Sequence, residues 1–287
     1  MFDTSMENKI RINEIAGPIS NELAKVNSEL KNILSEFDLI SEYGILKKSR
    51  RNADRLIRHA LLLLPVKAMG KSCSDRELPK LCAASEIIFS AVNLHDQITD
   101  SDIASRGKKG NITRVNNSRA VLNGDELQTL ALLVISEMFP KNLLLDLTRL
   151  IEKSCYMKIS EEIQKTIFKT EAVYTDSLKS RTSEITSTIA LLGAYASKAS
   201  VDETEILERL GYNLGMLYGI ITDQMNGKTS FEGFDPLACA GQYAKEAENI
   251  ISGFKKSAYK TSLLKLVKLF VKNMKIYSRG RCESEAK

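Results

Sequence analysis

Apolar residues recur at helical spacing along most of this chain, and nowhere does strict apolar–polar alternation run between turn signals. The pattern predicts an all-α protein. Residues 5–40 read as a helix pair or one long broken helix, interrupted at Gly17 and Pro18, with Ile19, Leu23, Val26 and Leu30 on one face. A second helix is expected through Leu61 to Leu64, ended by Pro65 and Gly70. Ser74, Asp75 and Glu77 look like the start of a third, running through Leu81, Cys82, Ile87 and Phe89. Residues 101–117 read as a polar loop, and a helical pattern resumes at Ser118. Two further helices are expected, over Leu143 to Ile151 and over 158–178. Another apolar face follows Arg181 and Thr182, with Gly193 and Ala194 on it. Residues 203–226 carry a stripe of Leu210, Leu214, Leu217 and Ile221, beside Gly211 and Gly215 as small contacts. Roughly the last 50 residues hold two amphipathic helices and a basic end.

Composition sharpens this picture. Five prolines and fifteen glycines in 287 residues are few, which favours helices over turn-rich sheets. The chain is 43% apolar and 27% charged, ordinary for a globular protein. A net charge of +5, without alternation of basic and aromatic residues, does not point to nucleic acid. It suits an anionic small substrate. No apolar stretch is long enough to span a bilayer, and the first residues lack the apolar core of a secretory signal. Cys73, Cys82, Cys155, Cys239 and Cys282 form no close pair, which fits a reducing cytoplasm rather than a disulfide framework or a zinc site. Two histidines leave little material for histidine-based catalysis.

Chemistry concentrates at the ends of two apolar helices. The run CAASEIIFSAVNLHDQITD closes on Asp96 and Asp100, which at i,i+4 share one helical face. Two carboxylates so placed suit Mg²⁺, which takes one or two of them and fills its other positions with water and phosphate oxygens. They equally suit a solvated acidic cap. Arg106 follows closely enough to help hold a phosphate. Gly124 is expected to permit a close helix approach, and Asp125 beside it is either an inner acid or an exposed one. Arg55 and Arg58, three apart, could grip a diphosphate by forked hydrogen bonds or form a solvated basic helix start. His59 between them and the apolar run reads as a surface residue. The helix over 203–226 ends in Asp223 and Asn226, with Lys228 beyond. Two such helices facing each other would enclose one cavity with its polar ends at a common mouth.

Taken in order, these motifs resemble the trans-isoprenyl diphosphate synthase family over roughly Arg55 to Leu237. The family's DDxxD motif, usually after Leu-His, is matched by LHDQITD, with Asp96 and Asp100 in the outer positions and Gln97 in the middle. One arginine, Arg106, stands where the family has two. NNSRAVLNGDELQTLA is similar to the family's helix around a Gly-Asp pair, and Arg181-Thr182 to its Lys-Thr pair. Phe89 sits where many members carry a histidine. The second Asp-rich motif is rewritten: Gly219 replaces glutamine, and Thr222 and Asn226 replace the outer acids around Asp223.

The resemblance implies a single helical domain over 1–287, built around a deep central cavity. It implies a Mg²⁺-dependent prenyltransferase that condenses isopentenyl diphosphate with an allylic prenyl diphosphate. The site residues carried over are Asp96, Asp100 and Arg181 for catalysis, and Arg55, Arg58, Arg106, Arg181, Thr182 and Lys228 for substrate. Asp96, Asp100 and Asp223 are carried over for metal, and Ala91 and Val92 for product length. Ala91 is small where farnesyl makers tend to carry an aromatic ring, which implies a product of at least geranylgeranyl length. A dimer is implied, with a second copy or a related synthase. Two other readings stand beside this one: a non-catalytic or regulatory subunit, and a class I terpene cyclase on the same fold.

Overall fold

A computed structural model describes residues 12–37, 52–71, 76–104, 110–164, 170–225, 229 and 233–285. At 52–54, 93, 96–104, 110–117, 157–164, 181 and 275–285 it describes the backbone alone. Among the described residues there is no strand. Residues 12–16 are helical, and among the described residues ten bounded α-helices follow: α1 Ser20–Glu36, α2 Asn52–Ala68, α3 Glu77–Ala104, α4 Gly110–Met138, α5 Lys141–Gln164, α6 Glu171–Leu178, α7 Glu184–Ala196, α8 Val201–Met225, α9 Pro236–Ser252 and α10 Ala258–Glu285.

The local signals explain several boundaries. Gly17 and Pro18 force a short 3₁₀ turn, Gly17–Ile19, before α1. Thr170 caps α6 by accepting a bond from the Val173 amide. Asp235 caps α9 by accepting from the amides of Leu237 and Ala238, with Pro236 opening the helix. Gly70, at φ 76°, takes the left-handed turn that ends α2.

Four expectations need correction. Pro65 lies inside α2, which continues to Ala68. Proline removes only its own N–H and crowds one carbonyl, so a packed helix can carry it for another turn. The loop expected over 101–117 is helical at both ends, over 101–104 in α3 and 110–117 in α4. Polar residues there concealed helical backbone. α5 is one helix to Gln164, so the break expected before residue 158 does not occur. His59 is buried, not on the surface. Ser74 and Asp75 lie outside the described residues, and α3 is described as a helix from Glu77.

α8 is the axial element. It packs on α7, α9, α10 and α2, while α3 packs on α4, α1, α2 and α7. Glycines set the α7–α8 approach. A Cβ at Gly211 would stand 2.7 Å from the Ala190 Cβ, and one at Gly215 would stand 2.9 Å from the Ser183 Cα. The apolar core is continuous from Ile12 to Met274, so one interior runs through the described helices.

Candidate active site

Between α6 and α7 lies a π-helical turn, Lys179–Ser183, in which the Glu184 amide bonds back to the Lys179 carbonyl. The turn carries Arg181 and Thr182. An extra residue in a helix shifts the side chains after it, and such turns frequently mark functional sites. Here it seats Ser183 against α8, where its hydroxyl donates to the Tyr212 carbonyl at 2.7 Å.

α2, α3, α7 and α8 meet around a small interior space. Arg58 and His59 enter it from α2, Glu86 and Phe89 from α3, Thr186 from α7 and Tyr218 from α8. Its volume, about 20 Å³, admits about one water and no isoprene unit. Arg58 is held inside it by two of its three side-chain nitrogens, and the buried Nη1 has no hydrogen-bond partner among the described residues. Its Nε and Nη2 donate to the two carboxylate oxygens of Glu86 at 2.9 and 2.5 Å, and its guanidinium lies 5.8 Å above the Phe89 ring. Both partners are almost completely buried. Burial pushes the Glu86 carboxyl up, but Arg58 and then His59 outweigh it, so its pKa falls below the usual value. Burial works against the Arg58 charge, yet Glu86 and Tyr218 raise its pKa above normal. His59 is 3.6 Å from Glu86, and burial pushes its pKa down to about 4.

The first acidic helix end has the expected backbone. α3 is helical through 96 and 100, so the two aspartates stand one turn apart on one face. Ala91, five residues before Asp96, is fully buried, and Val92 is half-buried. His95 packs across Gly124 of α4, where a Cβ would overlap its ring, and its Nε2 lies 3.2 Å from Asp125. Asp125 is exposed. Gly124 therefore does allow the close approach its sequence suggests.

At the second helix end, Asp223 is buried and accepts a bond from the Tyr174 hydroxyl at 3.3 Å. Thr222 donates to the Tyr218 carbonyl, and Thr229 pairs with the Gln224 amide oxygen. A Cβ at Gly219 would stand 2.5 Å from Leu178, so that position is filled from α6. Among the described residues no group of three or more His, Cys, Asp or Glu side chains is arranged to hold a metal ion.

Of the residues nominated from sequence, the structure thus places Asp96 and Asp100 together on α3, and Arg181 and Thr182 together on the π turn. Arg55 is half-buried near the start of α2. Arg58 is turned inward and Asp223 is enclosed. Arg106 and Lys228 lie outside the described residues. Sequence reasoning passed over Glu86 and Tyr174. Glu86 left a signal, a lone acid in the apolar run CAASEIIFSAV that needs a buried cation. Tyr174 left none.

Comparison with known proteins identifies the class. The model of the polyprenyl synthetase family matches residues 44–235, more than half of the chain, and the protein belongs to that family. A short chain isoprenyl diphosphate synthase from Methanocaldococcus jannaschii is 24% identical over 210 residues, covering 72% of this chain and 63% of that protein. A geranylgeranyl diphosphate synthase from Saccharolobus solfataricus is 30% identical over 160 residues, covering 52% of this chain and 48% of that protein. The matched region therefore spans less than two thirds of these relatives' length. A polyprenyl synthase from Caulobacter crescentus, crystallised with calcium and isoprenyl diphosphate, superposes with a TM-score of 0.73 at 18% identity. That superposition covers 91% of this chain and 97% of that one, and it establishes the all-helical synthase fold.

Proposed function

We propose that the protein is a prenyltransferase that condenses isopentenyl diphosphate with an allylic prenyl diphosphate to an all-trans prenyl diphosphate, acting as one domain over 1–287. The observation that carries this reading is the pair Asp96 and Asp100, one turn apart on α3 of a family bundle, just after the buried Ala91 and Leu94. Two carboxylates with no soft ligand fit Mg²⁺, whose chemistry there is to neutralise a diphosphate and ease its departure. Asp96 and Asp100 would hold it.

The rest falls to the chain's own residues. Arg55, Arg106, Arg181 and Lys228, with the hydroxyl of Thr182, supply charge and hydrogen bonds for two diphosphates. The apolar wall beneath, with Ala91 and Val92, keeps water from the allylic cation left when its C–O bond breaks. The isopentenyl double bond then forms the new C–C bond, and the released diphosphate takes the proton whose loss restores a double bond. The space that Arg58, Glu86 and Phe89 line is too small for a prenyl tail, so a tail entering there would require those side chains to repack. Ala91 leaves that wall low, and Ala91→Phe is expected to shorten the product by at least one isoprene unit. Chromatography of the dephosphorylated products reads this, and an unchanged length would refute the role.

A second reading has its own support. Arg58 is committed to Glu86 and Asp223 to Tyr174, so two groups expected at the substrates are engaged inside the fold. That suits a subunit that tunes a related synthase in a heterodimer, whereas the first reading suits a homodimer. Product analysis separates them. The chain is incubated with Mg²⁺, isopentenyl diphosphate and each of the dimethylallyl, geranyl, farnesyl and geranylgeranyl diphosphates. A longer prenyl diphosphate supports the synthase. A hydrocarbon or alcohol formed without isopentenyl diphosphate would replace it with a cyclase. No turnover by folded protein leaves the subunit.

A further inference from the structure

The end of α8 resembles the end of α3 in sequence, but its polar side chains already have partners inside the fold. At the end of α8, three consecutive polar side chains are already engaged: Thr222 with the Tyr218 carbonyl, Asp223 with Tyr174, and Gln224 with Thr229. The middle one is the deepest. Tyr174 is fully buried, its hydroxyl donates to Oδ2 of Asp223, and its ring packs on Phe234 at a centroid distance of 4.9 Å. Asp223 exposes only 4% of its surface. Tyr174 stands on α6, Asp223 near the end of α8, and Phe234 just before α9. One phenol thus joins three parts of the chain.

We propose that Asp223 is a structural tie to Tyr174 rather than a metal ligand, so that metal binding at the mouth rests on the α3 aspartates alone. This rests on the diphosphate site proposed above. The Oδ2 of Asp223 faces the Tyr174 phenol and only 4% of the residue is exposed, so an ion at the helix end would meet little of this carboxylate. Drawing it outward would break a buried hydrogen bond and loosen the packing that Phe234 completes. The replacements around it agree. Thr222 supplies a neutral hydroxyl already bonded to its own helix, and position 219 has no side chain because Leu178 occupies that space. Relative to α3, the end of α8 keeps the helix terminus and has changed its chemistry from ligation to internal bonding.

Two measurements test this. The first is a double-mutant cycle of thermal stability without metal, using Tyr174→Phe, Asp223→Asn and both together. The expected result is that the double variant loses less than the sum of the two singles, since both remove the same bond. Additive losses would overturn the tie. The second follows the melting temperature while Mg²⁺ is titrated in the presence of inorganic diphosphate. The Mg²⁺ concentration giving half the shift is expected to be unchanged in Asp223→Asn and raised more than about tenfold in Asp96→Asn. An equal rise in Asp223→Asn would overturn the proposal. If the unaltered protein shows no Mg²⁺-dependent shift, the diphosphate site is refuted, and the metal-free cycle still decides the tie.

Discussion

Two arginine–glutamate pairs in this protein join neighbouring helices in opposite surroundings. Arg209 on α8 meets Glu246 on α9 at 2.8 Å in largely exposed positions. Arg58 on α2 meets Glu86 on α3 with both side chains buried to within a few per cent. In water the first pair gives up little when separated, because each partner rehydrates. The second cannot separate without leaving a charge inside the bundle. The contrast bears on function. Arg58 is an attractive diphosphate ligand by spacing, but its Nε and Nη2 are bonded to Glu86 and only the buried Nη1 is left without a hydrogen-bond partner among the described residues. A substrate that used Nε or Nη2 would have to compete with that carboxylate.

The largest test of this contrast is Glu86→Gln. It leaves the Arg58 charge uncompensated and is expected to cost about 3–5 kcal/mol, read as a lower urea midpoint at constant slope. Replacing both residues by leucine should cost much less than Glu86→Gln alone, since no charge then remains inside. The next effect comes from acid. His59 is neutral when buried, with a pKa of about 4 against 6.5 when exposed, so the unfolded chain binds the extra proton between those values. Stability is therefore full above about pH 6.5 and declines as pH falls toward 4, by roughly 3 kcal/mol at most. His59→Leu should remove the part of this slope above about pH 5.5, where Glu86 is ionised in both states; denaturation midpoints against pH read it. Arg209→Ala gives the smallest effect. It should lower stability by less than about 1 kcal/mol, and the difference should fade at high salt. A loss as large as that of Glu86→Gln would break the comparison.

What the sequence revealed divides along the same line. The helix stripes were legible because each is a local pattern, and Asp96 with Asp100 because their spacing is set within one helix. The small contacts at Gly211 and Gly215 also came through, since glycine on an apolar stripe has few other reasons to be there. What stayed hidden depends on two elements meeting. Arg58 was read as a ligand because Glu86 lies 28 residues away, and His59 as a surface residue for the same reason. Tyr174 finds Asp223 across 49 residues, and no local pattern announces it. The helical backbone over 110–117 was missed for a different reason. Its residues are polar, and without an apolar stripe a helix and a loop read alike.

The π turn at Lys179–Ser183 makes the width of the coil, rather than the length of the chain, the protected quantity. The turn takes up one residue more than an α-helical turn, so α7 leaves it in the phase that an uninterrupted helix one residue shorter would have. Wound as ordinary α-helix, the same five residues would turn all of α7 by roughly 100° relative to α6. Ser183 would leave its seat against Gly215, and Ala190 its seat against Gly211. The loss of a single codon here would let the coil relax with α7 still in place, whereas a substitution that closes the wide turn at full length would retune the whole helix.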